Sequence, residues 1–409
     1  MEGNAPAPKA DPFDGFLAKP PYLQTFQVPF DYPVYFTRGA FDRANPLLAE
    51  VLDRRGERRR HRAAVYVDSG VAAAHPGLLD AIKEYFHARG GSLELAAPPQ
   101  VVPGGERAKT DWGPVRDILW TLGNLHLDRQ SCVIAVGGGS VLDMVGFATS
   151  IVHRGLRLVR LPTTTLAQND AGVGVKNGMD EHGQKNFIGT FAPPFAVIDD
   201  FSFLRTLSFE AWIAGAAEAF KVAIIQDAQF FCDLCAAAPA LRARDERAME
   251  DVVHRAAILH LEHIRRGGDP FEFGSARPLD FGHWAAHKME TMSAYALGHG
   301  QAVAAGIALD STYAAALGLI SEEELRRILD GLEACGLPTY LEYLERRDPD
   351  GRLEILDGLR TFQEHLGGAL TITLPRGIGR KVEVHEMSAE RIAGAVEALR
   401  ARRCRRETP

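Results

Sequence analysis

The sequence predicts an α/β N-terminal nucleotide-binding domain on a mostly parallel sheet, followed by an all-helical C-terminal domain. Three observations carry this. Short β-type runs alternate with helical patterns up to about residue 200, helical periodicity continues alone after it, and one apolar run leads through three glycines into a helix. With 409 residues and 46% hydrophobic content, the chain can fill two cores of ordinary size.

Residues 1–22 carry Ala, Pro, Lys and Asp without periodicity and read as a loose arm. Residues 23–201 hold apolar runs at 63–67, 93–97, 132–136, 156–161 and 195–198, spaced by helical patterns, as a parallel sheet covered by helices requires. Residues 202–409 turn to Ala- and Leu-rich helical stretches at 209–237, 246–265, 283–296, 300–317 and 388–403. A boundary near Asp199 and Asp200 puts a cleft between a cofactor-holding half and a helical half.

Charge and composition exclude several classes. A net charge of -7 and a pI near 6.1 offer no field for a nucleic-acid backbone. The arginines of residues 54–62, and Arg402, Arg403, Arg405 and Arg406, have no interleaved aromatics and read as solvated surface. No apolar stretch reaches the ~20 residues of a membrane span. The five cysteines are scattered and no signal pattern opens the chain, so a reducing cytoplasm is expected. Cys232 and Cys235 form a CxxC without a second pair, which reads as helix packing.

The run Val133-Ile134-Ala135-Val136 enters Gly137-Gly138-Gly139-Ser140 and then an apolar helical pattern. Glycines there allow a pyrophosphate close to the backbone and the helix N-terminus. A plain tight turn is the other reading, since the order is not GxGxxG. Asp68 ends an earlier apolar run, where a carboxylate can accept from a ribose or serve as a strand-end turn residue. Pro103-Gly104-Gly105-Glu106, with Lys109, adds a second charged turn.

His283 and His287 share a helical face, and His299 opens the next helical pattern after a glycine turn. Such a set suits a divalent metal, with Glu218 as the carboxylate because it lies in an otherwise apolar helical run. Lys221, three residues on, leaves a Glu218–Lys221 intrahelical pair as the alternative.

Together these residues resemble the 3-dehydroquinate synthase family of sugar-phosphate cyclases from about Asp68 to about Arg380. The blocks are GGGSVLDMVGF (137–147), RGLRLVRLPTTTLAQND (154–170), GVKNGMDEHGQKNFIG (174–189), GAAEAFK (215–221) and DFGHWAAHKME (280–290), followed by His299. The resemblance implies zinc, or cobalt, on Glu218, His283 and His299. It implies NAD on Gly138, Gly139, Ser140, Asp143, Thr163, Thr164 and Leu166, beside Phe203 and Thr206, with Asp68, Glu106 and Lys109 nearer the adenosine end. Substrate contacts carry over to Asp170, Lys176, Lys185, Asn186, Lys221, Glu272 and His287, of which Lys176, Asn186, Lys221 and His287 would surround the phosphate. Arg154 resembles the arginine that reaches a neighbouring subunit, which implies a homodimer. The implied reaction is a transient NAD-dependent oxidation, phosphate elimination, reduction and aldol closure of a seven-carbon keto sugar phosphate.

The carboxylate-binding set of the family is altered here. The asparagine before the first ligand histidine is Asp280, and the upstream lysine is His260 or Glu262, depending on where a short insertion falls. The arginine position falls at Ala276 with Arg277 one residue off, and residues 364–368 hold His365 but no lysine. Asp280 with His365 resembles the cyclases of sedoheptulose 7-phosphate, although those often replace His287 by proline. The alternatives are 3-dehydroquinate synthase proper, a metal-dependent NAD polyol dehydrogenase of the same fold, and a non-catalytic NAD- or sugar-phosphate-binding protein.

Overall fold

Fully apolar strands demand cover on both faces, and the central sheet meets that demand with helices. This computed structural model describes residues 19, 21–182, 184–267, 270–271, 278–366 and 369–407. The chain forms two compact units, Met1–Asp31 and Tyr32–Pro409. In the first, Tyr22, Leu23, Phe26, Val28 and Phe30 are exposed.

In chain order the strands of the second unit are β1 (Val34–Thr37), β2 (His61–Asp68), β3 (Leu93–Leu95), β4 (Gln100–Val102), β5 (Cys132–Gly137) and β6 (Arg157–Pro162). A hairpin, β7 (Lys176–Glu181) and β8 (Gln184–Phe191), precedes β9 (Ala196–Asp200). The sheet runs β1-β9-β6-β5-β2-β3, with β4 beside β2, and its pairings are parallel. Around it lie α1 (Leu47–Leu52), α2 (Ser69–Ala74), α3 (Leu78–Ala88), α4 (Arg107–Thr110), α5 (Trp112–Asn124) and α6 (Gly139–Ile151). Alternate residues of β5 feed opposite cores: Cys132, Ile134 and Val136 join one, Val133 and Ala135 the other. The register aligns Val67 with Val136 and Gly137 with Pro162, so Asp68, the glycine run and Thr163 meet at one C-terminal edge.

Beyond β9 come α7 (Phe209–Gln226), α8 (Ala228–Arg242), α9 (Glu246–Arg266), α10 (His283–Met292), α11 (His299–Ala316), α12 (Glu322–Cys335), α13 (Asp357–Leu366) and α14 (Ala389–Glu407). This half is not all-helical, because β10 (Ile372–Pro375) and β11 (Lys381–Val384) pair as an antiparallel hairpin before α14. Nor is 209–237 one helix. Asp227 leaves the helical region at φ -146° and its carboxylate accepts from Phe230 N at 2.9 Å, which ends α7 and caps α8. α11 is buried through Gly300 and from Ala302 to Ala314, the pattern of a helix in the middle of a core. Among the described residues no helix is long and apolar enough to cross a membrane. Both arginine clusters contain ion pairs: Arg62 meets Glu94, and Arg402 and Arg406 bind Asp330 and Glu333 of α12. Cys235 of α8 packs against Gly331 of α12.

One buried charge ties the loop after β6 to the sheet. Arg160, with no exposed surface, donates to the carbonyls of Gly172 (3.1 Å), Gly174 (2.8 Å) and Lys176 (2.8 Å) and to Asn177 Oδ1 (2.7 Å). Those bonds fix the turn between the π-helical segment Ala167–Ala171 and β7, and with it Asp170. Replacing Arg160 by Met removes every one of these donors, and we expect a loss of about 3 kcal/mol or more, read from urea denaturation.

Candidate active site

At the sheet edge, β5 ends on Gly137 and α6 begins at Gly139, with Gly138 extended between them. A Cβ on Gly137 would lie 2.9 Å from the Val141 side chain and 3.1 Å from Asp68 Cβ, so only glycine fits this turn. In front of it is a cavity of about 410 Å³ lined by Asp68, Glu106, Gly138, Gly139, Ser140, Thr163, Thr164, Phe203 and Thr206. Asp68 also accepts from Gly70 N at 2.7 Å, so it caps α2 while facing the cavity. Glu106 accepts from Ser140 Oγ at 2.9 Å, joining the second charged turn to the glycine loop. The size suits a small-molecule site, and a helix N-terminus behind glycines suits a diphosphate; these residues fit a dinucleotide.

Lys109, Asp143 and Leu166 are not in that lining. Lys109 turns instead toward Asp143 (2.7 Å), Asp180 (4.0 Å) and Asn186. Burial alone would lower its pKa, but Asp143 and Asp180 outweigh that and raise it. Leu166 is half-buried at the head of the Ala167–Ala171 segment.

Three helices build the second part of the site, and glycines set their approach. Gly282 has φ 79° and donates to Asp310 Oδ2 at 3.0 Å, while Trp284 Nε1 donates to Asp310 Oδ1 at 2.8 Å. This fixes the start of α10 on α11. A Cβ on Gly300 would come within 2.5 Å of Ala214 Cα, so α11 also lies close against α7.

The result is that Glu218 of α7, His283 of α10 and His299 of α11 present ligand atoms within 4.8 Å of one another. Glu218 Oε1 is 3.5 Å from His283 Nε2 and 3.4 Å from His299 Nε2, beyond good hydrogen-bond length. His283 Nδ1 faces the Phe281 carbonyl at 3.1 Å and His299 Nδ1 faces Glu290 Oε1 at 3.2 Å. Both partners accept, so each Nδ1 carries the hydrogen and each Nε2 points at Glu218. Two imidazoles and a buried carboxylate form the donor set of a catalytic divalent ion, so these residues fit one. Burial pulls the His299 pKa down, but Glu290 and Glu218 hold it up at about 10; a proton or a metal cation at Nε2 answers the same negative field. His287 lies beside both rings, at 5.4 Å from His283 and 6.0 Å from His299, and burial with the His283 charge pushes it down to about 3.

Lys221 forms the intrahelical pair with Glu218 and also meets Asp170 Oδ1 at 3.2 Å. Burial opposes its charge, yet Asp170, Glu218 and the nearby Asp280 raise its pKa. Asp170 in turn lies 3.0 Å from His260 Nδ1, whereas Glu262 pairs with Arg265 and Arg266; of the two residues weighed for the upstream lysine position, His260 faces the site. Asn186, at φ 54° on β8, bonds Lys109, and Lys176 opens β7 with an exposed side chain. Of the four residues expected around a phosphate, Asn186 meets Lys109, Lys221 meets Glu218 and Asp170, and His287 stands beside the His283 and His299 rings. Arg154 is exposed at φ 65° after α6. Glu272, Ala276 and Arg277, and the side chain of His365, lie outside the described residues.

Lys185 connects the two parts. Its Nζ donates to Glu106 Oε1 at 2.8 Å and to Glu290 Oε1 at 2.7 Å. Glu290 was not singled out in the sequence, although it stands seven residues after His283, on the same helical face. Substituting Gly300 by Ala should push α11 off α7, costing about 1–3 kcal/mol and lowering bound metal, measured by urea denaturation and elemental analysis.

Comparison with known proteins covers both halves. Residues 99–214 match the family described as 3-dehydroquinate synthase N-terminal, and residues 215–355 that described as 3-dehydroquinate synthase C-terminal. The chain is 34% identical to the 3-dehydroquinate synthase of Ruegeria pomeroyi over 341 residues, 83% of this chain and 89% of that protein. It is 35% identical to the 2-epi-valiolone synthase of Actinosynnema mirum over 368 residues, 88% of this chain and 90% of that protein. Among solved structures, the 2-epi-5-epi-valiolone synthase of Streptomyces hygroscopicus subsp. jinggangensis 5008, with NAD+ and Zn2+ bound, superposes with a TM-score of 0.82. The two share 29% identity, over 93% of this chain and 100% of that one. Identity sustained along nearly the whole chain, on the same fold, makes this protein a member of the 3-dehydroquinate synthase family.

Proposed function

We propose that the protein is a cytoplasmic, homodimeric sugar-phosphate cyclase: a lyase, dependent on NAD and zinc or cobalt, that eliminates phosphate from a seven-carbon keto sugar phosphate and closes a carbocycle. The favoured substrate is of the sedoheptulose 7-phosphate type. The observation that carries the reading is Lys185, which touches both Glu106 of the cavity and Glu290 beside the metal-type donor set. One substrate in that cleft could meet a nicotinamide, a Lewis acid and lysine charge together. In this reading residues 23–201 hold the cofactor, residues 202–409 the metal and substrate, and Arg154 serves the partner's site.

Glu218, His283 and His299 hold the ion, and the residues around the 410 Å³ cavity hold the dinucleotide. When bound, the dinucleotide supplies a reversible two-electron oxidation and the ion a Lewis acid. The chain's own groups divide the remaining work by charge. Lys221, its pKa raised by three carboxylates, stays an ammonium and favours an anionic leaving group rather than taking a proton. His287, pushed down to about 3, stays neutral at physiological pH and can accept a proton or a hydrogen bond.

Asp280 argues for a substrate without a carboxylate beside its keto group, since it adds a third acid to Asp170 and Glu218 near Lys221. A carboxylate there would meet like charge, and His260 suits hydroxyls. The second reading, 3-dehydroquinate synthase proper, is supported by the relative of that name and by the retained His287. A polyol dehydrogenase would need neither Lys176 nor Lys221 for a phosphate.

Three outcomes are expected. With sedoheptulose 7-phosphate and the shikimate-pathway heptulosonate 7-phosphate offered in parallel, the former should release phosphate with kcat/KM about tenfold higher, and Asp280→Asn should narrow the gap. Reduced cofactor should not accumulate; its growth in step with product would establish a dehydrogenase. Glu218→Ala, His283→Ala and His299→Ala should each lose bound zinc by elemental analysis, and full occupancy in all three would overturn the donor set.

A further inference from the structure

Glu290 is buried at 2% exposure on α10, and nothing in the proposed chemistry assigns it a task. Its Oε1 accepts from His299 Nδ1 at 3.2 Å and from Lys185 Nζ at 2.7 Å, while Oε2 is buried without a hydrogen-bond partner among the described residues. A carboxylate accepting from the outer nitrogen of a metal-binding imidazole fixes its tautomer and rotation and makes the inner nitrogen a stronger donor.

We propose that Glu290 is a positioning residue for the metal centre: it holds the hydrogen on His299 Nδ1 and aims Nε2 at the point shared with Glu218 and His283. This rests on the reading of Glu218, His283 and His299 as the donor set. The competing role is direct ligation, because His287, Glu290 and His299 also bring ligand atoms within 4.8 Å of one another. Two features favour positioning. The oxygen that His299 meets faces Nδ1, not the Nε2 directed at Glu218, and it already receives the Lys185 ammonium, which repels a second cation.

The test measures zinc affinity by competition with a chromophoric chelator, and the visible spectrum of the cobalt-substituted protein, for wild type, Glu290→Ala, Glu290→Gln and His299→Ala. Circular dichroism reports the fold of each. Glu290→Ala should weaken zinc about 10- to 100-fold. Glu290→Gln keeps a carbonyl oxygen for His299 Nδ1, so it should lose less than about tenfold and leave the cobalt bands at wild-type positions. Zinc affinity of Glu290→Ala within about twofold of wild type overturns the proposal, being below the range for a positioning partner. So does a Gln variant as weak as Ala with altered cobalt bands, the result of direct ligation. Should Glu290→Ala not fold, the Gln variant decides alone: an intermediate loss with unchanged bands supports positioning, and no loss or altered bands overturns it. Wild-type zinc affinity in His299→Ala is a separate failure, that of the donor set itself.

Discussion

A carboxylate in the middle of an apolar helix is the constraint on which the rest of this site depends. Glu218 is 1% exposed, between Ala217 and Ala219, where an isolated charge is very costly. Burial would drive it neutral, but Lys221 and His283 hold its pKa well below the ordinary range. Those partners come from its own helix and from α10, and His299 from α11 completes the set. Helix packing in this half is therefore also charge compensation.

Close packing is possible because the helices touch through glycine. Gly282 takes the left-handed conformation that starts α10, with Gly306 of α11 at its carbonyl, and Gly300 sets α11 on Ala214 of α7. Larger residues at these points would move His283 or His299 relative to Glu218 by about the width of a methyl group, which a donor set cannot absorb. On the other side of the cleft, Gly137 does the same between β5, Val141 and Asp68.

Alternating charge then joins the two sides. Ser140 donates to Glu106, Glu106 and Glu290 share Lys185, Glu290 accepts from His299, and Glu218 faces His299 and Lys221, which meets Asp170. Each buried ion in the series has an opposite neighbour, which is what makes so many charges tolerable away from water. The series also means that the cavity wall and the donor set are one electrostatic system.

Local pattern made much of this legible in the sequence. Continuous apolar residues followed by glycines specify β5 and α6, because burial on both faces leaves no alternation and a strand-to-helix turn needs small residues. Four-residue spacing puts His283 and His287 on one face, and an acid among alanines marks Glu218 as a charge in need of partners. Periodicity could not expose β10 and β11, each four residues long, or the break at Asp227, which depends on one side chain capping the next helix. Nor could it pair Lys185 with Glu106 and Glu290, 79 and 105 residues away, or turn Lys109 from the cavity toward Asp143 and Asn186. Residue order fixes which faces are apolar and which groups are charged; which charge meets which is decided only when packed helices and strands bring distant residues within hydrogen-bond reach.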